Sequence, residues 1–176
     1  MMRYVALLRG INVGGKSMMK MEELRTCFEA LGFTNVVSYI NSGNLAFDTS
    51  KTPDAKLVEK IESGIEKDLG RAVPVMVREQ QDIGRIIAAN PFEGEYESHK
   101  EMHVLFMKEE MPPEKREQLL AAAVPPERFA VAGREIYCHL PMGVADSLLG
   151  KGYIEKKLKV AVTARNWRTV MKLAEL

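Results

Sequence analysis

The chain has 176 residues, of which 46% are hydrophobic and 28% charged, with 25 Lys and Arg against 24 Asp and Glu, a formal charge of +1. That apolar content excludes a disordered chain, and at this mass roughly 70% of the extended chain's surface can be buried, so no disulfide or metal staple is needed. The balanced charge gives no bulk argument for nucleic acid or membrane as a partner.

Met2–Arg9 is apolar on both alternating faces, the pattern of an interior strand covered on two sides. A glycine-rich loop, Gly10–Ser17, follows it. Met21, Leu24, Phe28 and Leu31 recur at helical spacing up to Gly32, a natural residue just past a helix end. Asn35–Asn41 and Asn44–Thr49 read as two strands around a Ser42-Gly43 hairpin tip. Thr52-Pro53 opens a helix whose stripe is Leu57, Ile61, Ile65 and Leu69, closed by Gly70. Val73–Arg78 reads as a strand. The order β-α-β-β-α-β is that of a ferredoxin-like unit.

A short helix containing Ile83, Ile86 and Ile87 runs to Asn90-Pro91-Phe92, and the polar Gly94–Lys100 reads as a loop or linker. The remainder repeats the pattern: a strand at Met102–Lys108, a helix from Pro112-Pro113, and a hairpin of Arg128–Ala132 with Glu135–Leu140. Two helical pieces, Ala145–Lys159 and Thr163–Leu176, complete it, with no evident last strand. The expectation is an α+β chain of two ferredoxin-like halves, residues 1–92 and 93–176, the second incomplete. No apolar run reaches the roughly 20 residues of a membrane span, and the start lacks a secretory h-region, so a cytoplasmic protein with no membrane partner is expected.

Gly10-Ile11-Asn12-Val13-Gly14-Gly15-Lys16-Ser17 satisfies G-x-x-x-x-G-K-[ST] between a strand and a helix. In such a loop glycines let backbone N–H groups converge on oxygens and the lysine offsets charge. A nucleoside triphosphatase also needs a metal-binding aspartate on a neighbouring parallel strand. The available one, Asp48, ends a hairpin, which favours a looser anion-binding loop over a P-loop-like nucleotide-binding protein. In the last segment Trp167, Val170, Met171 and Ala174 share one helical face, and Arg165, Arg168, Thr169 and Lys172 the other. Arg165 then falls in the first turn, where a cation opposes the helix dipole and calls for an anionic partner. His99 and His103 are four apart but reach into a strand and lack a third ligand, so no metal site is expected.

Ala6–Lys16, Tyr39–Asn44, Asn90-Pro91-Phe92 and Thr163–Val170 together resemble the signatures of a bacterial family known as domain of unknown function 1697. The family pattern has a second threonine in place of Ala164 and a glutamine in place of Asn41, and Val144–Lys157 departs from it further. The resemblance implies an α+β protein with ferredoxin-like elements and brings no established activity, cofactor or catalytic residue. It places no fixed hydroxyl at Ser17, which counts against the triphosphatase.

The functional expectation is a pocket for a small phosphorylated or carboxylated ligand, formed by the Gly10–Lys16 loop, the 41–44 hairpin tip and the start of the last helix. Its residues are Arg9, Asn12, Gly14, Gly15, Lys16, Asn44, Arg165 and Asn166. The alternative partner is single-stranded nucleic acid, stacked on strand aromatics Tyr4, Tyr39, Phe47, Phe106 and Tyr137. The residues fix neither a reaction nor an oligomeric state.

Overall fold

The computed structural model describes residues 1–12 and 18–176. The chain divides into two compact units, one of residues 1–86 with 172–176 and one of residues 87–171.

In the first unit, β1 (Met2–Leu8), α1 (Met21–Ala30), β2 (Thr34–Tyr39), β3 (Asn44–Thr49), α2 (Asp54–Leu69) and β4 (Val75–Glu79) follow the expected order, and α3 (Gln80–Ala88) comes after them. The sheet order is β2-β3-β1-β4, with every pairing antiparallel. Tyr4, Ala6 and Leu8 point into a core shared with Leu24 and Phe28 of α1 and Leu57, Ile61 and Ile65 of α2. Phe47 is the hub of its aromatic part: Phe33 stacks on it at 4.2 Å and Phe28 meets it edge-on at 5.5 Å. The other face of this sheet is also out of water, with Val5, Leu7, Ala46, Met76 and Arg78 at most 2% exposed. This double burial explains why β1 carries no polar alternation. α2 begins one residue later than Thr52-Pro53 suggests: Pro53 is extended, at ψ 139°, and no side chain caps the helix.

Residues 172–176 return to this unit. Arg3 Nε donates to the Leu176 carbonyl at 2.8 Å, and the Gln80 amide donates to the carbonyls of Leu173 and Leu176.

The second unit repeats the topology with β5 (Met102–Met107), α4 (Pro113–Ala122), β6 (Arg128–Ala132), β7 (Glu135–His139), α5 (Tyr153–Lys156) and β8 (Val162–Asn166), in sheet order β6-β7-β5-β8. Its core joins Leu105, Ile136, Cys138 and Val162 to Leu119 of α4 and Ile154 of α5.

Two expectations are corrected here. The second half is complete: Val162–Asn166 is a fourth strand paired with β5, and only Trp167–Leu173, α6, is helical. The strand was hidden because helical spacing from Trp167 onward extends back over Thr163 without a breaking residue. The helix expected over Ala145–Lys159 shrinks to the four residues of α5. Gly152 and Lys159 have positive φ, and a Cβ at Gly150 would lie 2.1 Å from the Val144 carbonyl oxygen, so the chain there is a packed turn.

Glycines at two sites give opposite expectations. Gly43, at φ +90°, has no room for a Cβ, which would sit 2.8 Å from Leu8 Cβ and 2.9 Å from Ile11 Cδ1. Gly84 lies exposed inside α3 with open space around it. Gly43→Ala should cost about 2 kcal/mol or more in urea unfolding, from strain plus overlap. Gly84→Ala should add about 0.5–1 kcal/mol by removing unfolded-chain freedom.

Candidate functional site

The end of β1 is fixed from both sides. Leu8 N–H donates to the Gly43 carbonyl and Arg9 N–H to the Pro74 carbonyl, each at 2.9 Å, which extends the sheet ladder beyond the Leu8–Val75 pair. The approach to β4 is set by Gly70, left-handed at φ +70° as the cap of α2, and by Glu62 of α2, whose carboxylate accepts the Val75 N–H at 2.8 Å. Residues 71–73 therefore run beside residues 9–11. Arg9, Gly10, Ile11, Arg71, Ala72 and Val73 line a hollow of about 380 Å³, with no carboxylate among its described lining residues. Arg71 was missed by sequence reasoning, although the ferredoxin-like order itself carried the signal: β4 is β1's antiparallel neighbour, so residues before β4 must flank those after β1.

The other expected residues divide by role. Asn12, at φ +53°, is a clamp: its Nδ2 donates to the Met19 and Asn41 carbonyls, and its Oδ1 accepts the Met19 N–H. These bonds tie Asn12 to Met19 and to the hairpin tip at Asn41. Asn44 is fully buried and donates to the Tyr39 carbonyl and the Ser42 hydroxyl, so its amide shapes the turn. Gly14, Gly15 and Lys16 lie outside the described residues. Asp48, the triphosphatase candidate, is held by Arg3 and Asn35 in an antiparallel sheet, and these contacts keep its carboxyl below the usual range.

Arg165 is corrected from the first turn of the last helix to β8, where it pairs with Val104 of β5. It is 7% exposed, and its Nη1 donates to the Thr163 hydroxyl and the Ala164 carbonyl. Burial pushes the guanidinium down to about 10, which leaves it charged at neutral pH. Of the aromatics named as stacking platforms, Tyr4, Phe47, Phe106 and Tyr137 are buried, and only Tyr39 keeps partial exposure.

In the second unit Asn166 stands opposite His103 in the β5–β8 register, so both side chains leave the same face of the sheet. Asn166 Oδ1 accepts the Thr169 N–H at 2.9 Å. These two residues, with Ser98, His99, Lys100 and Arg168, line a second hollow of about 460 Å³. The segment supplying Ser98–Lys100 is a short 3-10 turn closed by a capping box: Ser98 Oγ accepts the Lys100 N–H, and Glu101 accepts the N–H groups of Ser98 and Glu97.

Glu101 is itself anchored by buried His139. Arg128 can only donate, so the 2.9 Å contact to His139 Nδ1 makes that nitrogen an acceptor, and His139 Nε2–H donates to Glu101 at 3.0 Å. Arg128 also pairs with Glu95 and lies over the Phe92 ring. Among the described residues no group of three His, Cys, Asp or Glu is placed to hold a metal, and no helix is long and apolar enough to cross a membrane.

The fold defines a class: an α+β protein built of two ferredoxin-like units. The chain belongs to the DUF1697 family, described as a protein of unknown function, which matches residues 1–137. Among solved structures it is similar to the conserved bacterial protein SP0830 from Streptococcus pneumoniae, with 25% identity, a TM-score of 0.78, and coverage of 99% of this chain and 97% of that one. None of the curated proteins matches the chain.

Hydrogen bonding from His139 is the main influence holding the Glu101 carboxyl below its ordinary 4.5. A carboxyl lowered on folding contributes stability that is complete above the ordinary value and lost as pH falls through the lowered one. Glu101→Gln should therefore be less stable than the parent at neutral pH. Its thermal midpoint should fall less steeply on acidification below about pH 4.5, as followed by circular dichroism.

Proposed function

We propose that the protein binds a small anionic molecule, phosphorylated or carboxylated, at the hollow where the glycine-rich loop leaves β1. The observation that carries this reading is that two arginines, Arg9 and Arg71, line one hollow of about 380 Å³. An anion in a hollow lined by two arginines is attracted by both charges. Guanidinium groups also offer the paired N–H geometry that matches carboxylate and phosphate oxygens. Gly10, at φ +72°, keeps the backbone free of side-chain bulk at the lip. On this reading Asn12 and Asn44 act as supports, fixing the loop and hairpin tip around the site, and the ligand is met by arginine.

A thermal-shift series with inorganic phosphate, sugar phosphates, nucleotides and citrate tests this. A ligand present at a hundred times its dissociation constant should stabilise the protein by about 2.7 kcal/mol. Arg9→Gln and Arg71→Gln should each weaken a positive response about tenfold, the loss of one charge-assisted contact. A response that both variants retain, or none across the series, would overturn the proposal.

A further inference from the structure

We infer that the second unit carries its own binding site for a hydrophilic phosphomonoester, such as a sugar phosphate, in the hollow lined by Ser98, His99, Lys100, His103, Asn166 and Arg168. This site is separate in residues and in unit from the Arg9–Arg71 hollow, and neither depends on the other.

The first argument is unmet hydrogen-bonding capacity. Among the described residues the Lys100 ammonium and the Arg168 guanidinium, both on exposed side chains, have no acceptor, and the Asn166 NH2 is equally without one, its oxygen alone being engaged. His103 Nδ1 is buried and unpartnered. An orphaned lone pair is tolerated better than an orphaned N–H, so Nδ1 is the bare nitrogen and Nε2 carries the proton. Nδ1 is out of reach of solvent, so the donor that His103, a lining residue of the hollow, can offer a ligand is Nε2–H. Burial disfavours the imidazolium, consistent with a neutral donor at this position.

The second argument is preorganisation. His103 and Asn166 are held side by side by the sheet register, and Ser98–Lys100 by the capping box that Glu101 closes and His139 anchors. The backbone of Ser98–Lys100 and the His103–Asn166 pair thus stand in place before a ligand arrives, which removes part of the ordering cost of binding.

The third argument is charge and size. Two cationic residues, Lys100 and Arg168, line the hollow, with no carboxylate among its described lining residues. A phosphomonoester, close to dianionic at neutral pH and with three acceptor oxygens, balances them, whereas a simple carboxylate leaves a net positive charge and donors unmet. A volume of about 460 Å³ is in the range of small-molecule sites and leaves room for the esterified group. The lining residues are polar by type and contribute both carbon stems and polar ends to the walls, a mixture that suits a sugar, which carries both C–H faces and hydroxyls.

With only three histidines in the chain, imidazole nitrogen spectra can follow each one. Ribose 5-phosphate should move the His99 and His103 signals together and saturably, and leave His139 in place. Ribose should move neither, and acetate should act at least about tenfold more weakly, in line with the charge-assisted contacts it lacks. Lys100→Gln and Arg168→Gln replace exposed side chains and should each weaken the response about tenfold. The Arg9→Gln, Arg71→Gln double variant should leave it unchanged, which separates this site from the first. The inference is overturned by no saturable shift at phosphate-ester concentrations up to about 10 mM. Equal response to ribose, insensitivity to Lys100→Gln with Arg168→Gln, or a response only to single-stranded oligonucleotides lacking a terminal phosphate would also overturn it.

Discussion

The constraint on which both hollows rest is the antiparallel seating of the last strand of each unit beside its first. In the first unit β4 against β1 carries Arg71 to Arg9, and in the second β8 against β5 carries Asn166 to His103. Neither pair is close in sequence, and neither is brought together by a loop folding on itself. The sheet ladder does the work, stiffened by the apolar residues of the inner strand. Strand pairing of this kind positions side chains more firmly than a flexible loop can, because a slip by one residue would turn the whole buried set of β1 to the wrong face. The hollows lie at contrasting ends of equivalent pairs: the first where β1 ends and β4 begins, the second where β5 begins and β8 ends.

The charge distribution explains how a chain with a net charge of only +1 can present cationic hollows. Three of its glutamates are taken up by the main chain. Glu62 receives the Val75 N–H, Glu101 those of Glu97 and Ser98, and buried Glu127 those of Val124 and Leu148. The oxygens of these acids are engaged by N–H groups, and none of the three lines either hollow beside Arg71, Lys100 or Arg168. Bulk charge is therefore a poor guide to local potential in this protein, and the sequence-level argument from overall balance applies to large polyanions only.

What was legible in the sequence were the elements with strong local periodicity. β1 shows apolar residues on both faces, α1 and α2 have full apolar stripes ending at glycines, and the Ser42-Gly43 and Gly133-Arg134 tips punctuate their hairpins. β8 was not legible, because a five-residue strand runs straight into α6 and the helical stripe conceals the change of period. Arg165 went with it. Its assignment to a helix start suggested a missing anion, and its true position on a strand gives it hydroxyl and carbonyl acceptors. Asn12 of the loop donates to the Asn41 carbonyl at the hairpin tip, a clamp that depends on turn geometry which composition does not reveal. Arg71 follows from topology alone, once the strand order is known.

The return of residues 172–176 to the first unit has a consequence for biosynthesis. On the ribosome the second unit is a contiguous stretch and can close as soon as it emerges. The first unit holds its whole sheet and core within residues 1–86, yet Arg3 and Gln80 meet their carbonyl acceptors only once Leu173 and Leu176 have been added. The amino-terminal unit thus begins first and gains these three hydrogen bonds only after the residues of the second unit have been made.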